Sequence, residues 1–200
     1  GGGGLIAGIA IAAKALKPDV RVSGVQSEAF PYMQRVLGRG GESTAKSEVG
    51  VAEGIAVRKP GELTRRIVAD LVPDIALVSD MAIERAIQLL AEQEKIVAEG
   101  AGATGVASLL ANSQNWEGRK VGIVVCGGNI DARLLSTILL RGLARDGRMA
   151  RLRIMLPDKP GALASISTLI GEAGANIVEI VHQRLFYDLP VRYAEVDVAL

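Results

Sequence analysis

Two hundred residues that are 49% hydrophobic and 22% charged carry enough apolar surface for one large domain or two small ones, which excludes a disordered tail. Lysine plus arginine number 23 against 22 acidic residues and only 3% of the chain is aromatic, so neither the basic patch nor the stacking platform of a nucleic-acid binder is present. One cysteine, Cys126, and one histidine, His182, rule out an intrachain disulfide and a multi-cysteine zinc site and speak against a histidine metal site; no metal is expected.

The chain opens on Gly1-Gly2-Gly3-Gly4-Leu5. Glycines running into a helix let backbone N–H groups converge on a phosphate, with the helix dipole adding to the attraction, although the same run also reads as a flexible linker. A chain that starts on glycine and enters a loop-helix unit at once leads us to expect missing upstream sequence. The apolar run from Leu5 to Ala13 is too short for a bilayer and has no basic region before it, so we expect a cytoplasmic protein with no membrane partner.

Leu5 to Leu16 reads as a helix stopped by Pro18, and Val20 to Val25 as a short buried strand. Ser27 to Gly54 is loop-like. Glu62 to Leu71 has amphipathic spacing, Ile75 to Val78 is a strand, and Ser79-Asp80 caps a helix over Met81 to Glu94. Glu99-Gly100-Ala101-Gly102-Ala103 leads into a helix ending near Ala111. Lys120 to Val125 reads as a parallel-sheet strand that runs into Cys126-Gly127-Gly128-Asn129, and Ala132 to Leu143 as a helix stopped near Gly147. This alternation argues for an α/β layer with ligands beyond the strands' carboxyl ends. From about Arg148 the pattern is βαββ: strand Arg151 to Leu156, helix Ala162 to Glu172, then strands Ala175 to Phe186 and Val191 to Leu200.

Three of these stretches carry candidate chemistry. Cys126-Gly127-Gly128 places a polarizable side chain at a strand end with room for a flat ligand; the alternative is a packed core cysteine. Glu99 fits a carboxylate that orients or exchanges protons with a ligand, and fits equally an acid complementing a helix dipole. Gly50 and Gly54, flanking Glu53, either line the cleft or only satisfy turn geometry.

Together, Gly1-Gly2-Gly3-Gly4-Leu5, Gly24-Val25-Gln26-Ser27-Glu28, Glu53-Gly54-Ile55-Ala56-Val57-Arg58, Glu99-Gly100-Ala101-Gly102-Ala103 and Cys126-Gly127-Gly128-Asn129-Ile130-Asp131 resemble the second half of threonine dehydratase (threonine ammonia-lyase). The resemblance covers Gly1 to Gly147. Residues 148–200, with Leu156-Pro157-Asp158-Lys159-Pro160-Gly161-Ala162-Leu163 and Gly174-Ala175-Asn176-Ile177, resemble a truncated ACT-like regulatory domain.

The resemblance implies a tryptophan-synthase-β-like α/β fold (pyridoxal-phosphate fold type II) followed by a βαββ portion of a ferredoxin-like ACT domain. It implies pyridoxal 5'-phosphate as cofactor, an amino-acid substrate and a homo-oligomer. By position, Gly1, Gly2, Gly3, Gly4 and Leu5 would cradle the cofactor phosphate and Cys126 would face the pyridine nitrogen, with Glu99 and Gly54 as further candidates near the cofactor. Serine stands at that position in much of the family. A thiol or hydroxyl there holds the ring nitrogen less firmly protonated than aspartate would, which favours elimination over transamination. Asp158, Gly161 and Asn176 are candidate effector contacts, though a Pro-Gly turn and a helix stop account for the same residues.

The family's Schiff-base lysine lies in a Ser-x-Lys-x-Arg-Gly-Ala context that occurs nowhere here, so the chain alone is expected to be inactive, with no catalytic residue of its own. Gln26 stands where related racemases hold a metal carboxylate, and Glu28 is only a remote substitute. Serine dehydratase or serine racemase is the alternative within the family. A noncatalytic amino-acid-sensing module is the alternative outside it.

Overall fold

The computed structural model describes residues 1–39, 49–183 and 190–200. They form two compact units, residues 1–138 and 139–200.

In the first unit, α1 (Gly4–Leu16) lies on α3 (Glu62–Leu71), with Ala7, Ala10, Val68 and Val72 buried between them beside Met33 and Ile75. Small residues at positions 7 and 10 allow this close approach. The strand expected over Val20 to Val25 is instead β1, Gly24–Ser27, because it forms only where β2 (Ile75–Val78) offers a parallel partner, from Gly24 opposite Ile75 to Ser27 opposite Val78.

The stretch from Ser27 to Gly54 is not wholly loop. A short helix α2 (Tyr32–Val36) follows Pro31, and a 3₁₀ turn covers Glu53–Ile55; residues 40–48 of that stretch lie outside the described residues. Gln26 explains the local order. Its amide nitrogen donates to the Phe30 carbonyl (3.2 Å) and its Oε1 accepts from Gln34 N (2.9 Å), so a buried neutral amide ties β1 to α2 through its own hydrogen bonds.

Ser79 caps α4 (Asp80–Leu89), its hydroxyl accepting from Ala82 N. The single helix expected to Glu94 loosens into a π-turn at Leu90–Glu94 and stops at Lys95, a non-glycine residue in the left-handed region (φ 57°). α5 (Gly100–Ala111) then packs on α4 around Ile83, Ala86, Ile87, Ala103 and Ala107.

Lys120 to Val125 is not a strand. No strand among the described residues pairs with it, and a strand needs a ladder to close its backbone bonds. Only Ile123 and Val125 reach the core, whereas Val121 and Val124 are exposed. α6 (Ala132–Arg145) ends as the sequence suggests, with Gly147 N donating to Ala144 O and Arg148 N to Leu143 O.

The second unit is a three-stranded antiparallel sheet in the order β3-β5-β4, with β3 Arg151–Pro157, β4 Glu179–Gln183 and β5 Tyr193–Ala199. α7 (Ala162–Glu172) covers one face, burying Leu156, Ile170, Val196 and Val198. The expected strand Ala175 to Phe186 begins only at Glu179, after the helix stop at Gly174, and its residues 184–186 lie outside the described residues.

On the opposite face, Asp197 is buried and accepts from Arg151 (2.6 Å) and twice from Arg153 (3.2 and 3.3 Å). Hydrogen bonds from Arg153 and Arg151 outweigh desolvation and hold its carboxyl below the usual value of 3.8. A depressed folded-state pKa adds stability that is complete above the unfolded value and disappears as pH falls through the folded one. Protection of the β3 and β5 amides against hydrogen exchange is therefore expected to stay level above about pH 5 and to fall below 3.8. In Asp197→Asn this acid-side dependence should flatten.

Candidate functional site

Four loops meet in the first unit. At the first, Gly3 takes the left-handed conformation (φ 86°) that turns the chain into α1, and a Cβ there would lie 2.5 Å from Met33 Cε. The Thr64 hydroxyl donates to Gly2 O (2.6 Å) and thereby holds the turn from α3. α1 has no side-chain cap and no acidic residue in its first turn. Its leading N–H groups are thus left for another acceptor, and a Cβ on Gly4 would meet nothing within 4 Å.

The second loop, residues 53–57, bridges the glycine turn and the start of α5. Val57 and Ile55 press on Gly1, while Gly54 packs against Ala101 and the Glu99 carboxylate, each 3.2 Å from where its Cβ would be. Glu99 N donates to Gly127 O (3.0 Å), and a Cβ on Gly127 would overlap Glu99 Oε1. Gly127 also sits in the left-handed region (φ 85°). Room for Glu99, beside any room for a ring, is therefore what residue 127 must supply. Glu99 precedes α5 without capping it, so its carboxylate is turned toward this junction.

The third contact is backbone on backbone. A Cβ on Gly102 would overlap the Cys126 carbonyl oxygen, and one on Gly100 the Val51 carbonyl oxygen, so α5 reaches both loops only because it starts Gly-x-Gly. Cys126 itself is exposed.

The structure thus links Gly1 to Gly4, Gly54, Glu99 and Cys126 through consecutive contacts, whereas Leu5 points outward at 57% exposure. Gly50 lies against the Asp80 carboxylate instead of this junction. Asp158, Gly161 and Asn176 belong to the second unit, and the glycine turn to the first. Sequence reasoning missed Thr64 and Met33. They lie far along the chain from the glycines they support, and no local pattern marks them.

A glycine turn with free donors, open space at Gly4 and no competing carboxylate in the helix's first turn fits a phosphate group. Among the described residues no group of acids, histidine or cysteine is placed to hold a metal, and no helix is long and apolar enough to cross a membrane.

Comparison with known proteins agrees with this geometry. Residues 1–127 match the model of the pyridoxal-phosphate dependent enzyme family, and residues 150–187 that of the ACT domain. The L-threonine ammonia-lyase of Thermotoga maritima is 41% identical over all 200 residues, which are 50% of its own length. A solved threonine deaminase from T.th. superposes with a TM-score of 0.59 at 35% identity, over 66% of this chain and 42% of that one. Maize serine racemase gives 0.59 at 33% identity, over 73% and 46%. The chain spans about half the length of the relatives it matches. It belongs to the pyridoxal-phosphate dependent enzyme family, as a fold type II α/β domain followed by an ACT domain.

Proposed function

We propose that the complete protein converts L-threonine to 2-oxobutanoate and ammonia, with this chain supplying the phosphate and ring-nitrogen sides of the site. The observation that carries the reading is the uncapped glycine turn joined through residues 53–57 to Glu99 and Cys126, in a chain similar along its whole length to an L-threonine ammonia-lyase. When bound, pyridoxal phosphate supplies the electron-withdrawing ring that eases loss of the substrate's Cα proton.

In this reading the backbone donors of Gly1 to Gly4 and Leu5 hold the phosphate, the Leu5 side chain taking no part. Thr64 and Met33 keep the turn in shape. The Cys126 thiol meets the ring nitrogen, and Glu99, seated between Gly54 and Gly127, offers Oε1 to a donor on the ligand. The catalytic part extends to Gly147 and the regulatory part from Arg148, where Asp158, Gly161 and Asn176 contact an effector. The anchoring lysine belongs to a segment outside these 200 residues. We further assign the protein to the cytoplasm, as a homo-oligomer serving isoleucine biosynthesis.

The 200-residue chain with pyridoxal phosphate and L-threonine should release no 2-oxobutanoate, and the chain joined to a segment bearing the anchoring lysine should. Turnover by the chain alone overturns the division of the site. A joined protein that racemises L-serine and leaves threonine untouched supports the second reading, which rests on the likeness to maize serine racemase. In the joined enzyme, Cys126→Asp should divert a larger share of product to transamination. An unchanged product distribution would remove Cys126 from the ring nitrogen.

A further inference from the structure

Asp80 opens α4 and carries a carboxylate that the helix does not account for. Ser79 already caps α4, its hydroxyl accepting from Ala82 N. The Asp80 side chain accepts instead from Val51 N, at 3.3 Å from Oδ2, and its Oδ1 is buried without a hydrogen-bond partner among the described residues. Buried polar oxygens are ordinarily paired, and an acid that only complements a helix dipole needs no burial. Gly50 makes room for this carboxylate: a Cβ on residue 50 would lie 3.2 Å from both of its oxygens and 3.1 Å from Ala29 Cβ.

The bond bears on the residue from which the candidate site is hung. On its other side Val51 is gripped by α5, its carbonyl oxygen filling the space that a Gly100 Cβ would take. Ala52, next along, is wholly buried in the core shared by α4 and α5. The turn Glu53–Ile55 grows from there, with Ile55 N donating to Ala52 O (3.1 Å) and Ala56 N to Glu53 O (2.9 Å). It carries Gly54 to the Glu99 carboxylate and Ile55 and Val57 onto Gly1. Asp80 thus fixes the root of a turn whose far end meets both the glycine run and Glu99.

We propose that Asp80 is a positioning residue of the cofactor site: through Val51 N it holds residues 50–57 in the register that seats Gly54 against Glu99 and Val57 against Gly1. This role rests on the glycine turn being the phosphate side of the site, and Asp80 exerts it through the backbone of Val51.

Three variants of the joined enzyme separate positioning from a helix-dipole effect. Asp80→Ala removes charge and acceptor together. Asp80→Asn removes the charge and keeps an oxygen for Val51 N. Gly50→Ala keeps the charge and crowds the carboxylate from its seat. Equilibrium dialysis of pyridoxal phosphate, a melt of the cofactor-free protein and amide exchange at Val51, Ile55 and Ala56 are the measurements. Asp80→Ala and Gly50→Ala should each weaken the cofactor about tenfold and speed exchange at those three amides, with Ala103 and Ala107 of α5 unchanged; Asp80→Asn should stay within about threefold of the parent. Asp80→Ala and Asp80→Asn that melt alike and keep the parent's cofactor affinity overturn the proposal in favour of the helix dipole. Parent affinity in Gly50→Ala also overturns it, as does exchange that quickens throughout α4 and α5, since the core then depends on Asp80 in place of the 50–57 segment. Gly4→Asp distinguishes the two levels: full affinity in that variant removes the phosphate from the glycine turn and the proposal with it, whereas weakened affinity there beside unchanged affinity in Asp80→Ala and Gly50→Ala removes only the role of Asp80.

Discussion

Gly102→Ala is expected to unfold or severely loosen the first unit, with a loss of about 3 kcal/mol or more. The added methyl has no side chain to displace. It meets the Cys126 carbonyl oxygen, with the Cys126 carbonyl carbon and Gly127 O each 2.9 Å away, so relief requires α5 or the 126–128 backbone to move. Either movement separates Glu99 from Gly127 and Cys126 from the junction. The matching control is Gly8→Ala in α1, where a Cβ meets nothing within 4 Å; there alanine should stabilise by about 1 kcal/mol through helix propensity. Urea unfolding of both variants, followed by the fluorescence of Trp116, gives the two signs. Equal stability of Gly102→Ala and the parent would show that α5 does not rest on the Cys126 backbone.

Gly4→Asp should separate stability from cofactor binding in opposite directions. The site has space for the side chain, and a carboxylate in the first turn of α1 complements its dipole, so the melting temperature should rise by the equivalent of about 0.5–1 kcal/mol. The same carboxylate occupies the position proposed for the phosphate. Repulsion between charges roughly 4 Å apart near a protein surface is worth about 4 kcal/mol, enough to weaken pyridoxal phosphate a hundredfold or more in the complete enzyme. Equilibrium dialysis of the cofactor and a thermal melt of the cofactor-free protein measure the two effects. A more stable variant that keeps full cofactor affinity would detach the phosphate from the glycine turn. A less stable one would mean that the space beside Gly4 is filled.

Both substitutions bear on glycines, and they show how far the sequence reaches. Local pattern alone determined α3 at Glu62–Leu71, α7 at Ala162–Glu172 and the stop of α6 at Gly147, because helix spacing, capping and helix stops act within a few residues of one another. Motif order likewise determined the family and pointed to the glycine turn. Where an element depends on a distant partner, its own residues did not reliably set its bounds, although β2 was found at Ile75–Val78 as expected. Lys120 to Val125 has strand composition but no ladder among the described residues, and β1 begins where Ile75 faces it and not where its apolar run begins. Gly102 and Gly127 read as helix start and ligand clearance. Only the tertiary structure shows that the first admits the Cys126 backbone and the second the Glu99 carboxylate, since a missing Cβ carries no record of what fills its place. The pairing of Ala199 with Arg151 on one side and Glu179 on the other has the same origin: three residues far apart in the chain become neighbours through strand register, and register is a property of paired strands.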